Sequence, residues 1–336
     1  MARLTLEVAS ETLRLAQPFR ISGHVFESSE VVVVTLCSGL HQGRGEGGGV
    51  YYLGDDVSHM LLDLQAARAA LEAGPSREEL RGLMPPGGAR NAVDCALWEL
   101  EAAQHSMPVW RLAGQGEPKP LRTTFTLGAD EPEIMAAGAR RYAQARSIKI
   151  KLTGDLELDI ARVRAIRAAR PDVWLGVDGN QGFSAGQLDP LVAALHDQRV
   201  SLLEQPLARG READLEGYRS IIPIAGDESL LTLDDLAGAV GRFNIVNIKL
   251  DKCGGLTEAL MMVSAARRLS IGVMVGNMVG TSLAMAPAFV LGQLCDLVDL
   301  DGPTFLAQDR QPGVDYVDGN VWASPEVWGS GQSTPV

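Results

Sequence analysis

Apolar and polar positions follow two different rhythms along the chain. Up to about Gly114, strand-like stretches at Leu4–Val8 and Val31–Leu36 precede helical ones. Within Ala89–His105, Val93, Leu97 and Leu100 recur at helical spacing, which predicts an amphipathic helix with one buried face. Strands followed by helices predict an α+β unit.

From about Leu121 the pattern is regular. Eight short β-rich runs recur at intervals of roughly 22–27 residues, each followed by an Ala- and Leu-rich helical stretch. They are Thr123–Leu127, Ile148–Leu152, Val173–Asp178, Val200–Glu204, Ile222–Asp227, Val246–Leu250, Gly272–Gly276 and Leu297–Asp301. Eight such units predict an α/β fold, a modified (β/α)7β TIM barrel with its last helix reduced. A doubly wound open sheet is the other solution, but eight equal units are more than most open sheets carry. The expected organisation is an α+β domain over residues 1–118, completed by 310–330, and a barrel over 119–309. After Asp309 the rhythm stops. Val314–Trp322 then reads as an extended return to the first domain, and Ser330–Val336 as a loose tail.

Composition narrows the function classes. With 336 residues, 46% of them hydrophobic, the chain can bury a large core. A formal charge of −12 and a pI near 4.9 argue against nucleic acid or an anionic membrane as the main partner. Cys37, Cys95, Cys253 and Cys295 are far apart and read as reduced thiols. No apolar run is long enough to span a bilayer, and no signal-peptide pattern opens the sequence. A cytoplasmic enzyme is the expectation. Barrels of this size often form homo-oligomers, although nothing in the chain marks an interface.

The chemistry lies where the predicted strands end, because those ends converge on one mouth of a barrel. They carry Lys149 with Lys151, then Asp178, Glu204, Asp227 and Lys249, and last Asp299 with Asp301. Buried charges are costly unless they pair or bind metal. Asp178, Glu204 and Asp227 end three successive strands. Each alone would read as a helix N-cap; the three together favour a hard cation such as Mg²⁺. Lys149 and Lys151 share one face of a strand, where neighbouring ammonium groups lower a lysine pKa. Lys249, across the barrel, would face them over a substrate carbon, a layout for removing a proton on one side and returning it on the other. Asp299 and Asp301 form either an anionic pocket for an ammonium group or partners for the nearby lysines.

These residues carry a resemblance. The motifs Lys149-Ile-Lys151, Val177-Asp178-Gly-Asn180, Leu203-Glu204-Gln205-Pro206, Gly226-Asp227-Glu228-Ser229, Asn247-Ile-Lys249-Leu-Asp251-Lys252 and Asp299-Leu-Asp301-Gly302-Pro303 occur in this order. With Gly43-Arg-Gly45-Glu46 and Ala89-Arg-Asn-Ala92, they make the chain, from about residue 3 to 322, resemble the enolase superfamily. Within its muconate-lactonising subgroup, the dipeptide epimerases typified by L-Ala-D/L-Glu epimerase are most similar. The resemblance implies that the α+β domain is a capping domain, that Asp178, Glu204 and Asp227 hold Mg²⁺ and that Lys151 and Lys249 are the two acid/base catalysts. Lys149 would bind the substrate carboxylate and depress the pKa of Lys151. Asp299 and Asp301 would hold a dipeptide's ammonium group. Thr124, His24 and Phe26 join the implied substrate-binding residues. The implied reaction inverts an α-carbon through an enolate; the alternative is another activity of the subgroup, namely N-acylamino acid racemase, o-succinylbenzoate synthase or cycloisomerase.

The sequence departs from that pattern in two places. Gly179 stands where the family usually has Ala. The loop Phe19–Glu30, which closes over the site in this family, reads Gly23-His24-Val25-Phe26-Glu27 where Ala-Glu epimerases carry a basic side chain. Arg20 or His24 would have to replace it. Otherwise Phe26 makes the side-chain pocket apolar, unless it only packs the capping domain. Gly47–Gly54, with Tyr51 and Tyr52, reads as a lid or as a turn with aromatic packing.

Overall fold

The computed structural model describes residues 3–21 and 23–332. Three long strands, β1 (Thr5–Ile21), β2 (His24–Ser38) and β3 (His41–Gly48), form an antiparallel meander. The helices α1 (Val57–Glu72), α2 (Arg77–Leu83) and α3 (Gly88–His105) cover it. Asp56 caps α1 through the His59 N–H, and Ser76 with Glu79 forms a capping box on α2. Leu6, Val32, Val34 and Leu36 from the sheet pack with Leu64, Leu71, Val93 and Leu97.

The amphipathic pattern of α3 understates its burial. Nearly the whole helix is buried, because a second layer covers its polar side. Asn91 donates to Asp251 (2.8 Å), Asp94 accepts from the Thr257 N–H (2.9 Å), and Trp98 Nε1 donates to Thr257 Oγ1 (3.0 Å). On the other side β3 approaches unusually closely: a Cβ added at Gly45 would lie 2.0 Å from the Ala92 carbonyl oxygen. Gly45→Ala is therefore expected to destabilise the chain by at least about 1–3 kcal/mol. A urea midpoint equal to that of the parent protein would refute this close approach.

A one-turn helix, α4 (Val109–Leu112), and β4 (Leu121–Arg122) lead into the second sheet. Its strands are β5 (Phe125–Leu127), β6 (Ser147–Lys151), β7 (Trp174–Asp178), β8 (Leu202–Glu204), β9 (Ile224–Gly226), β10 (Ile245–Ile248), β11 (Gly272–Val275) and β12 (Leu297–Val298). They are parallel and ordered as in the chain. The Thr124 N–H donates to the Val298 carbonyl (3.0 Å), joining the first and last strands of the expected barrel.

The helical partners are α5 (Pro132–Arg141), α6 (Leu156–Ala169), α7 (Leu188–Asp197), α8 (Leu236–Ala239), α9 (Leu250–Cys253), α10 (Leu256–Arg268) and α11 (Ser282–Gly292). The last strand is followed only by a 3₁₀ turn at Gly302–Phe305, as the sequence rhythm predicts, and helices are reduced earlier as well. β8 is followed only by a 3₁₀ turn at Glu212–Leu215, in a stretch broken by Pro206, Gly210, Gly217 and Pro223, and β9 by a 3₁₀ turn with the short α8.

The C-terminal stretch also differs from expectation. β13 (Asp315–Val317) pairs with β14 (Asn320–Trp322), and β14 pairs with β4 rather than with the meander. Contact with the first domain flanks this sheet: before it Arg310 pairs with Glu11 and Glu46, and after it Trp328 Nε1 donates to the Arg44 carbonyl and the Gly329 N–H to Glu99. Gly331 is buried against Met107, so the expected tail is packed at its start; residues 333–336 lie outside the described ones. Among the described residues no helix is long and apolar enough to cross a membrane, and the four cysteines are free.

Candidate functional site

Strand alternation sorts the barrel interior into an apolar floor and a charged layer above it. Leu202, Ala225 and Met274, with half-buried Trp174, Ile245 and Leu297, form a small cluster. Side chains two residues apart share a face. Steps of two therefore lead from Trp174 to Asp178, from Leu202 to Glu204, from Ala225 to Asp227, from Ile245 through Asn247 to Lys249, and from Leu297 to Asp299.

Asp178, Glu204 and Asp227 are fully buried, with one oxygen from each within 4.8 Å of the others. Lysines surround them. Lys149 Nζ lies 2.7 Å from Glu204 Oε2, 2.7 Å from Asp299 Oδ2 and 3.4 Å from Asp178 Oδ2. Lys151 reaches Asp178 at 2.7 Å, and Lys249 reaches Asp227 at 2.6 Å. Lys252, which had no role in the sequence reading, is fully buried and donates to the Asp227 carboxylate and to three backbone carbonyls. Its position three residues after Lys249 on a one-turn helix was the available signal.

The electrostatics follow from this packing. Burial would raise the Asp178 and Asp227 pKa values, but lysines 151 and 149 on one, and 249 and 252 on the other, hold both below the usual range. Glu204 is pushed up to about 7 by burial and by Asp178, against the pull of Lys149. Burial alone would lower Lys149 and Lys249; instead Asp299 and Glu204 raise the first, and Asp227 the second. Thus Lys149's own shift is upward, since carboxylates rather than Lys151 dominate its surroundings.

Three buried carboxylates without His or Cys suit a hard dication. Glu204 Oε2 receives no hydrogen bond beyond its ion contact with Lys149, and the side-chain oxygens Asn180 Oδ1 and Asn247 Oδ1 also lack donors. The residues therefore fit Mg²⁺.

Asp299 and Asp301 lie just past β12, which ends at Val298. Alternation along a strand thus does not govern both. Asp299 is engaged by Lys149 and by the Thr124 hydroxyl, and Asp301 accepts from the Thr126 N–H at 2.6 Å. Burial and the charge of Asp299 push Asp301 up to about 7.

Above the carboxylates a cavity of about 400 Å³ is lined by Lys151, Lys249, Asp227, Phe26, Tyr51 and Glu228 among others. His24 is exposed and outside the lining; its ring supports those of Tyr51 (4.9 Å) and Phe26 (6.0 Å). Arg20 turns away to Asp130 at 3.3 Å. Sequence reasoning also passed over Glu228, which is buried with Oε2 unpartnered and is pushed up to about 8 by burial and by Asp227.

Comparison with known proteins agrees with this construction. Residues 134–331 match the family model "Enolase C-terminal domain-like", and 3–114 match that of the mandelate racemase / muconate lactonizing enzyme N-terminal domain. The L-Ala-D/L-Glu epimerase of Escherichia coli is 37% identical over 94% of this chain and 99% of its own length. An enolase family member from Agrobacterium tumefaciens with homology to dipeptide epimerases, solved with sodium and L-Ala-L-Glu, superposes with a TM-score of 0.93 at 39% identity, covering 97% of this chain and 100% of that one. The Enterococcus faecalis dipeptide epimerase, complexed with Mg and L-Leu-L-Tyr, gives 0.91 at 28% identity, covering 99% and 100%. With both halves matched and the charged layer in place, the chain belongs to the mandelate racemase/muconate lactonizing enzyme family of the enolase superfamily.

Proposed function

We propose that this protein is a Mg²⁺-dependent dipeptide epimerase, an isomerase that inverts the α-carbon bearing the substrate's free carboxylate. The observation that carries the reading is the placement of two lysines, Lys151 on β6 and Lys249 after β10, in one cavity with the carboxylate cluster between them. Asp178, Glu204 and Asp227 would hold Mg²⁺, whose charge would acidify the α-proton by stabilising the negative charge that develops on the neighbouring carboxylate.

The lysines do the proton work. One, as the free amine, takes the α-proton from its side; the other, as ammonium, gives a proton to the opposite side. The reverse reaction exchanges the roles, so turnover needs one lysine neutral and one charged. Lys149 would add its fixed positive charge beside the substrate carboxylate. Asp299 and Asp301 would receive the dipeptide's ammonium group, with Thr124 orienting Asp299. Family membership and the epimerase relatives support this reading over a cycloisomerase.

The test is isotope exchange. With Mg²⁺ in D₂O, a dipeptide should gain one deuterium at the C-terminal α-carbon and give both epimers, read by mass spectrometry and chiral chromatography. N-acetyl amino acids in the same assay test the N-acylamino acid racemase alternative. Faster exchange of those than of any dipeptide would sink the dipeptide reading.

A further inference from the structure

The carbon that the two lysines would serve has four substituents, and the site accounts for three. The carboxylate faces the Asp178–Glu204–Asp227 cluster, the hydrogen faces a lysine, and the amide nitrogen leads to the N-terminal residue and its ammonium group. The fourth substituent, the side chain of the inverted residue, meets what remains of the cavity wall. That wall comes from the capping elements and the loop after β11, including Ile21, Phe26, Tyr51 and Met278. The Phe26 and Tyr51 rings meet edge to face at 5.5 Å, and Tyr52 continues the aromatic surface 5.2 Å from Tyr51. The wall is tied down: the Ser29 hydroxyl of β2 donates to the Val279 carbonyl (2.9 Å).

Charge points the same way. Among the described residues lining the cavity, the only cations are Lys151 and Lys249, both paired with the carboxylate cluster. The acids are Glu30, Asp55, Asp56, Asp227 and Glu228. Asp55 and Asp56 are already occupied, by His59 with the Gly88 N–H and by the His59 N–H, which leaves them little to offer a cationic side chain. Glu228 Oε2 has no partner. A second substrate carboxylate would therefore lose water beside acids with no cation to receive it, whereas an apolar side chain loses nothing at an aromatic wall.

We infer that the side chain of the inverted, C-terminal residue is large and apolar, that Phe26 with Tyr51 forms the surface that selects it, and that a glutamate side chain is disfavoured there. This rests on the dipeptide-epimerase reading and departs from the L-Ala-L-Glu bound by the Agrobacterium relative.

The experiment is a panel of L-Ala-L-Xaa dipeptides with Xaa as Phe, Leu, Glu or Lys, together with L-Phe-L-Ala, followed by deuterium incorporation with Mg²⁺. kcat/KM for L-Ala-L-Phe or L-Ala-L-Leu should exceed that for L-Ala-L-Glu and L-Ala-L-Lys by at least about tenfold. Phe26→Arg places a cation on the wall and should reverse the Phe-over-Glu order, chiefly through KM. L-Ala-L-Glu or L-Ala-L-Lys equal to or ahead of the apolar pair would overturn the inference and leave the epimerase reading standing. So would L-Phe-L-Ala as the best substrate, since the wall would then read the N-terminal residue. Exchange with no member of the panel would overturn the epimerase reading, and this inference with it.

Discussion

Lys151→Ala and Lys249→Ala are each expected to lower epimerisation by about 10²–10⁴-fold, the usual worth of a positioned acid or base, while each keeps isotope exchange with one epimer. The reason is geometric. Each lysine reaches the α-carbon from its own side, so one that remains can still take a proton there and return a deuteron to the same side, without inversion. The two variants should therefore retain exchange with opposite epimers. Neither alanine removes a metal-cluster carboxylate, and each leaves a lysine on the one it touched: Asp178 keeps Lys149 and Asp227 keeps Lys252. Initial-rate deuterium incorporation into separately prepared L,L and L,D dipeptides reads the result. Retention of exchange with the same epimer by both variants, or full two-way activity in either, would rule out a base on each side.

Most of this site was legible in the sequence because the barrel rhythm aligns strand ends. Once eight runs are recognised, a step of two from each floor residue fixes Asp178, Glu204 and Lys249 on the inward face. What stayed hidden depends on contacts between distant segments. The second buried face of α3 is covered by Asp251 and Thr257, some 160 positions away in sequence, and no period within α3 reveals that. Asp299 and Asp301 were read as alternating along a strand, yet β12 stops at Val298, and the loop beyond takes its direction from Lys149, Thr124 and Thr126. His24 and Phe26 sit two apart on β2 and were weighed alike; only Phe26 lines the cavity, while His24 backs it. Helix shortening after β8 was visible in its Pro and Gly residues, but the regular spacing of the strands concealed it.

Removing the metal should have the larger effect, and Glu204→Gln should show why. Chelation is expected to bring exchange down to the uncatalysed background, because no residue of the cavity wall replaces the charge of a dication. Glu204→Gln exchanges an anionic oxygen for a neutral amide, in a position where Glu204 Oε2 meets only the Lys149 ammonium at 2.7 Å. Loss of an outer partner of a metal site already weakens binding 10–100-fold, so loss of a direct carboxylate should cost at least about 100-fold in Mg²⁺ affinity. At a Mg²⁺ concentration 100 times the parent's Kd, bound metal adds about 2.7 kcal/mol to the parent's stability; a 100-fold weaker variant gains only about 0.4 kcal/mol. The metal-free proteins make the internal control. Burial and the neighbouring Asp178 raise the Glu204 carboxyl to about 7, well above its value in an unfolded chain. The ionised form therefore costs stability at pH values above the unfolded pKa, and the cost is fully developed above the folded one. At pH 8 the uncharged amide should leave the metal-free variant at least as stable as the metal-free parent. Unfolding curves with and without Mg²⁺ separate the two effects, and equal stabilisation of variant and parent by Mg²⁺ would remove Glu204 from the metal site.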